Sequence, residues 1–182
     1  IPFLVLATQN PIDQEGTYPL PEAQRDRFMM KLNVTYPSKE EELKIMQRMA
    51  DMNFNKSIKT VLNKKDILSI QDEINKVSIS ESIEKYIIEI VAATRNPSSV
   101  KLDELKSFIS FGASPRASIN LSLAAKANAF LSNRDYVIPD DIKEIANDVL
   151  NHRIILNYEA EAEGIKSEYI IKQILDKVEI NS

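Results

Sequence analysis

The sequence predicts a mainly α chain that opens with a short two-strand α/β portion, and three observations carry that expectation. Only 3 Gly occur in 182 residues, and the abundance of Ile, Leu, Ala, Lys and Glu favours helix over tight turns. From Ser38 onward, apolar residues recur at helical spacing. Before Pro37 they run almost consecutively, in Phe3–Ala7 and again in Met29–Val34, the mark of strands buried on both faces of a parallel sheet.

Taken in order, strands are expected near residues 3–8 and 29–34. Two strands are too few for an independent sheet. Their partners are therefore expected upstream of Ile1, and the first ~35 residues are expected to be rearranged, disordered or paired with another copy. Between the strands, Glu22–Phe28 reads as a short helix. The domain boundary falls at Tyr36-Pro37, dividing residues 1–36 from a helical domain over 37–182.

Ser38-Lys-Glu-Glu41 is a capping-box signature for a helix with Leu43, Met46, Met49 and Ala50 on one face. Met46, Met49 and Met52 read as core. Asn63 caps a second helix carrying Ile67, Ile70 and Ile74. Ser78-Ile-Ser-Glu81 opens a third, with Ile83, Ile87, Ile90 and Val91 inward, and Asn96-Pro97 stops it. Ser114-Pro115 opens a fourth, running to about Asn133. Its narrow polar stripe of Ser118, Ser122 and Lys126 marks the central helix of a bundle. Pro139-Asp-Asp141 makes a favourable first turn for a fifth helix, and Ser167 begins the last, with Ile170, Ile171, Ile174, Leu175 and Val178.

Composition removes several function classes. With 23 Lys and Arg against 27 Asp and Glu, the net charge of −4 opposes a general nucleic-acid backbone binder, which needs a basic face. No Cys is present, which removes disulfides and thiolate metal sites, and the single His152 cannot anchor a zinc site alone. No apolar stretch approaches the ~20 residues that span a bilayer.

Three constellations carry chemistry. Thr8-Gln9-Asn10-Pro11 follows the first expected strand, and ligands of open α/β sheets bind beyond the carboxyl ends of strands. An amide there offers both a donor and an acceptor without charge, although Asn-Pro also suits a plain turn. Glu22-Ala-Gln-Arg25-Asp26-Arg27-Phe28 places a planar cation beside a core aromatic; a solvated Asp26–Arg27 pair is the plainer alternative. In Gly112-Ala-Ser-Pro-Arg116-Ala, Arg116 stands in the first turn of a helix, where the dipole disfavours a cation by ~0.3–1 kcal/mol. A cation kept there points to an anion completing the site.

The first thirty residues, together with Phe111-Gly-Ala-Ser-Pro-Arg116-Ala and Glu159-Ala-Glu-Ala-Glu-Gly164-Ile, closely resemble the back half of an AAA+ ATPase of the MoxR branch. The resemblance covers nearly the whole chain. It implies an all-helical AAA+ lid preceded by a two-strand α/β remnant of a P-loop NTPase core. It also implies roles: Asn10 as sensor 1, Arg27 as the arginine finger offered in trans to the next subunit's nucleotide, and Arg116 as sensor 2. Arg25 stands where that family usually has an apolar residue and is a second candidate for the finger. The resemblance further implies ATP and Mg2+ as cofactors of the full-length protein, with none bound tightly to this portion. A homo-oligomeric ring, commonly a hexamer, a cytoplasmic location and chaperone-like remodelling of partners, often von Willebrand factor A-domain proteins, are implied as well. No G-x-x-x-x-G-K-[ST] occurs in the chain, so on its own it is not expected to hydrolyse ATP. The magnesium-chelatase ATPase subunit shares the order of asparagine, Asp-Arg-Phe and lid arginine and is the related alternative. A non-catalytic helical interaction module is the alternative from another class.

Other polar residues have simpler readings. Arg95 ends a helix, where the dipole favours it. Glu159, Glu161 and Glu163 are scattered by a helical turn onto a solvated face. His152-Arg153 packs or caps a helix end.

Overall fold

The computed structural model describes residues 3–9, 20–50 and 58–180. Its helices are α1 (Glu22–Arg25), α2 (Lys39–Met49), α3 (Lys64–Lys76), α4 (Glu81–Arg95), α5 (Pro115–Leu131), α6 (Pro139–Leu150), α7 (Tyr158–Ala162) and α8 (Ser167–Lys177), with two 3-10 turns between α4 and α5. Two short strands, β1 (Ile109–Phe111) and β2 (Ile155–Leu156), pair antiparallel with Ile109 opposite Leu156. The mainly α expectation holds.

The core lies among α4, α5, α6 and α8. Ile87, Ile90 and Val91 of α4, Leu121, Ala124 and Ala125 of α5, Ile142 and Val149 of α6, and Ile170, Ile171 and Ile174 of α8 are all buried. Helix α5 is central, packing against α3, α4 and α6. Its buried face is rich in alanine (Ala117, Ala124, Ala125 and Ala129 with Leu121), which lets neighbouring helices approach closely. The predicted stripe is displaced as a result. Ser118, Ser122 and Lys126 are half-buried, whereas Ile119, Leu123 and Leu131 face outward.

Local signals set most helix starts. The Ser38 hydroxyl accepts from the Glu41 N–H, and Glu41 Oε2 accepts from the Ser38 N–H at 2.8 Å. Asn63 and Asp66 make the same reciprocal cap on α3. The α4 cap is Ser80 rather than Ser78. Ser78 is held extended by a parallel bridge to Tyr136: its N–H donates to Asp135 O and its carbonyl accepts from the Val137 N–H. Gly164 takes a φ of +71° just past α7, the left-handed turn that ends a helix at little cost for glycine, and the Ile165 N–H closes it on Ala160 O at 2.8 Å.

Three expectations fail at the amino-terminal side. Residues 3–9 form no strand and are exposed. Residues 29–34 form none either. No described strand lies beside these segments, so their backbones have no ladder to join; the second finds partners on the helical body instead. The apolar face of α2 is also not core: Leu43, Met46 and Met49 are exposed, because no described element packs on that helix. Met52 lies outside the described residues. Among the described helices, none is long and apolar enough to cross a membrane.

Candidate functional site

The site begins with a backbone contact. A Cβ on Gly112 would lie 2.4 Å from the Thr94 carbonyl oxygen, a clash that only glycine avoids. Thr94 is buried at the end of α4; its hydroxyl donates to Val91 O at 2.7 Å and accepts from the Ala113 N–H at 2.9 Å. Gly112 and Ala113 are thereby seated on α4, and Ser114 follows as the N-cap of α5, accepting from the Arg116 N–H at 3.2 Å.

Ser114 has a second bond. Its hydroxyl donates to the Asp26 carboxylate, with Oδ1 and Oδ2 at 3.0 and 2.9 Å. The same carboxylate receives Arg153 Nε at 3.1 Å and stands 3.6 Å from Arg116 Nη1. One acid from the turn after α1 thus meets the cap of α5, the first-turn cation of α5 and a cation from the turn just past α6.

Arg153 is enclosed, with its side chain 1% exposed. Its remaining N–H groups reach Met29 O, Val149 O, Asp26 O and Phe28 O. With Asp26 Oδ1 that makes five acceptors for the five donors of a guanidinium. Burial pulls Arg153 below the ordinary arginine value, the Asp26 charge opposes that shift, and the nearby Arg116 adds to it. His152 is buried beside it with Nε2 3.2 Å from Phe28 O. Burial first, then the Arg153 charge, pushes its imidazole down to about 4, so it is neutral near pH 7. The Lys31 N–H donates to Asp148 O, and Asn151 Nδ2 donates to Lys31 O, which extends the seam along residues 26–31.

Of the residues expected from sequence, Arg116 stands at this seam with its side chain half exposed, touching Asp26 by a long ion pair. Arg27 is exposed, one residue beyond Asp26. Arg25 is half-buried and its Nε has no partner. Asn10 lies outside the described residues. Two guanidiniums against one carboxylate leave the seam with excess positive charge, which suits an anionic ligand at the exposed Arg116. Sequence reasoning gave Asp26 no tertiary partner and read Arg153 as packing or capping. The available signal was a cation running straight into Ile154-Ile-Leu156, since a buried cation requires a carboxylate nearby.

Two family models match this chain: the AAA lid domain over residues 105–174, and the ATPase family associated with various cellular activities (AAA) over residues 1–30. Chaperone MoxR1 of Mycobacterium tuberculosis is 46% identical over 177 residues, covering 97% of this chain and 46% of that protein. Protein YeaC of Bacillus subtilis is 46% identical over 179 residues, covering 98% of this chain and 53% of its own length. Protein MoxR of Paracoccus denitrificans is 30% identical over 173 residues, covering 88% and 51%. A crystal structure of a protein from Cytophaga hutchinsonii superposes with a TM-score of 0.94 at 63% identity, covering 100% of this chain and 55% of that one. The chain spans about half the length of the curated relatives it matches.

Proposed function

The chain belongs to the MoxR family of AAA+ ATPases, of which it spans the C-terminal portion, and from that premise we propose that it senses bound nucleotide and couples its hydrolysis to movement. The observation that carries the reading is Arg116: a half-exposed cation in the first turn of α5, whose ionic contact is a 3.6 Å approach to Asp26. So weak a surface contact is worth ~0–1 kcal/mol, and a phosphate group outcompetes it readily.

In this reading ATP with Mg2+ supplies the phosphoryl group to be transferred in the full-length protein. Arg116 acts as sensor 2 within its own subunit, binding the terminal phosphate. Exposed Arg27 is the arginine finger presented to the neighbouring subunit, and Asn10 is sensor 1, orienting the attacking water. A permanently charged planar fork is what spreading phosphate charge requires. The working protein is a homo-oligomeric ring, a hexamer, in the cytoplasm. Its output is chaperone-like remodelling or maturation of partner proteins, with von Willebrand factor A-domain proteins as the partner class. Residues 1–36 belong to the ATPase core and 37–182 to the lid.

The test uses full-length rings. Arg116→Ala and Arg27→Ala should each lower ATP turnover by ~10²-fold or more. Mixed at equal concentration, they should recover part of the activity. Some sites then pair a subunit that keeps Arg116 with a neighbour that keeps Arg27. Unchanged turnover in either single variant overturns that residue's role.

A further inference from the structure

The geometry points to Asp26 as a positioning residue that fixes both arginines at once, joining the turn that carries Arg27 to the helix that carries Arg116. This rests on the proposed roles of those two arginines and adds a physical link between them.

Asp26 is covalently next to Arg27, so whatever immobilises Asp26 immobilises the backbone from which Arg27 extends. Two attachments do so. Arg153 grips the Asp26 carboxylate at 3.1 Å and its carbonyl at 3.1 Å, and it also takes the carbonyls of Phe28 and Met29. Four acceptors on three residues of the 26–29 turn, held by one guanidinium whose side chain is 1% exposed, leave that turn little freedom. The second attachment is Ser114, whose hydroxyl donates to both carboxylate oxygens while its lone pair caps the Arg116 N–H. The carboxylate also faces Arg116 itself, across 3.6 Å.

The link has a functional consequence. An anion drawing Arg116 away from Asp26 unbalances the charge around a carboxylate that Arg153 and Ser114 still hold. The turn bearing Arg27, joined to the start of α5 through that carboxylate and Ser114, shares in the change. Nucleotide occupancy felt within one subunit is transmitted to the finger it offers its neighbour through a single side chain, with no need for the intervening helices to rearrange.

Mixed full-length rings separate the possibilities. Asp26→Asn should lower turnover by ~10–100-fold, since small misplacements of positioned groups have effects of that size. Because the defect reaches both arginines, an Asp26→Asn subunit should rescue neither Arg27→Ala nor Arg116→Ala, under conditions where those two rescue each other. Rescue of either one to that level overturns the dual role. A second variant guards against loss of folding. A glycine N-cap is nearly neutral for the helix, so Ser114→Gly removes chiefly the bond to Asp26 and leaves Asp26 on Arg153. It should assemble, rescue Arg27→Ala and fail to rescue Arg116→Ala, and Ser114→Asn, which can still donate and cap, should restore turnover. Normal turnover of Ser114→Gly overturns the link even if Asp26→Asn never assembles. If Arg27→Ala and Arg116→Ala themselves turn over normally, the functional reading falls first, and that result is separate from a failure of Asp26 alone.

Discussion

Residues 26–33 and helix α2 sit close together in the sequence and are built in opposite ways. The first has no regular structure of its own, yet it is fastened to the helical body by Arg153, His152 and Asn151 and by Lys31 on Asp148. The second has every local device for helix, including a reciprocal Ser38–Glu41 cap and three acids in its first turn, and it buries nothing. Secondary structure and tertiary attachment are thus separately encoded here. Caps and periodicity make a helix without a partner; a buried cation makes an attachment without a helix.

The strongest way to break this contrast is to remove the cation. Arg153→Ala leaves the Asp26 carboxylate and four backbone carbonyls without this donor, and losing one partner of an enclosed pair costs about 3–5 kcal/mol. Urea unfolding should show that loss, or no cooperative transition at all. A change below about 1 kcal/mol would mean that the seam is held by packing alone.

Acid should loosen the same seam more gently. His152 titrates near 4 in the folded state, against an ordinary value of 6.5, so the unfolded chain takes up the proton first as pH falls. The unfolded state binds more protons between those values, and stability therefore drops as pH is lowered through that window and is complete above it. The size is on the order of 1–3 kcal/mol after allowance for screening. His152→Gln should flatten the slope in melts from pH 7 to pH 4. Asp141 answers in the same direction but further into acid. Burial would raise its carboxyl, yet Arg134, the Ile138 N–H and Asn128 together hold it below the usual range.

Smallest are the effects expected in α2. Ser38→Ala removes a cap worth about 1 kcal/mol, and the loss should stay within that helix. Amide exchange near Glu42 should quicken while exchange in α5 is unchanged. Met46→Gln, on a face that is already exposed, should change the unfolding free energy by less than about 0.5 kcal/mol. A larger loss in this chain would mean that the face is covered.

What could be read in advance follows the same division. Helices α3, α5, α6 and α8 were legible because Asn63, Ser114, Pro139 and Ser167 announce their starts within a few residues. The apolar face of α2 was legible as a face, but periodicity says which side is apolar and nothing about what lies against it. Strands of three and two residues are too short to leave a pattern, and the expected strands at 3–8 and 29–34 depend on neighbours that no local run supplies. In the site, Arg116 announced itself by its place behind a Ser-Pro cap. The partnership of Asp26 with Arg153 did not, because it joins residues 127 apart in sequence.

That separation also orders events in time. Ala113 reaches Thr94 across 19 residues, whereas Asp26 must find Arg153 across 127. Loop-closure entropy alone makes the longer closure costlier by about 1.7 kcal/mol. The helical body is therefore expected to assemble before residues 26–31 settle on it and to outlast their departure. In native-state exchange the Lys31 amide, bonded to Asp148 O, should open as part of a small cooperative unit while the amides of α5 and α6 wait for global unfolding. The contact of Asp26 with Arg153 is therefore expected to open before the helical body that carries Arg116 unfolds.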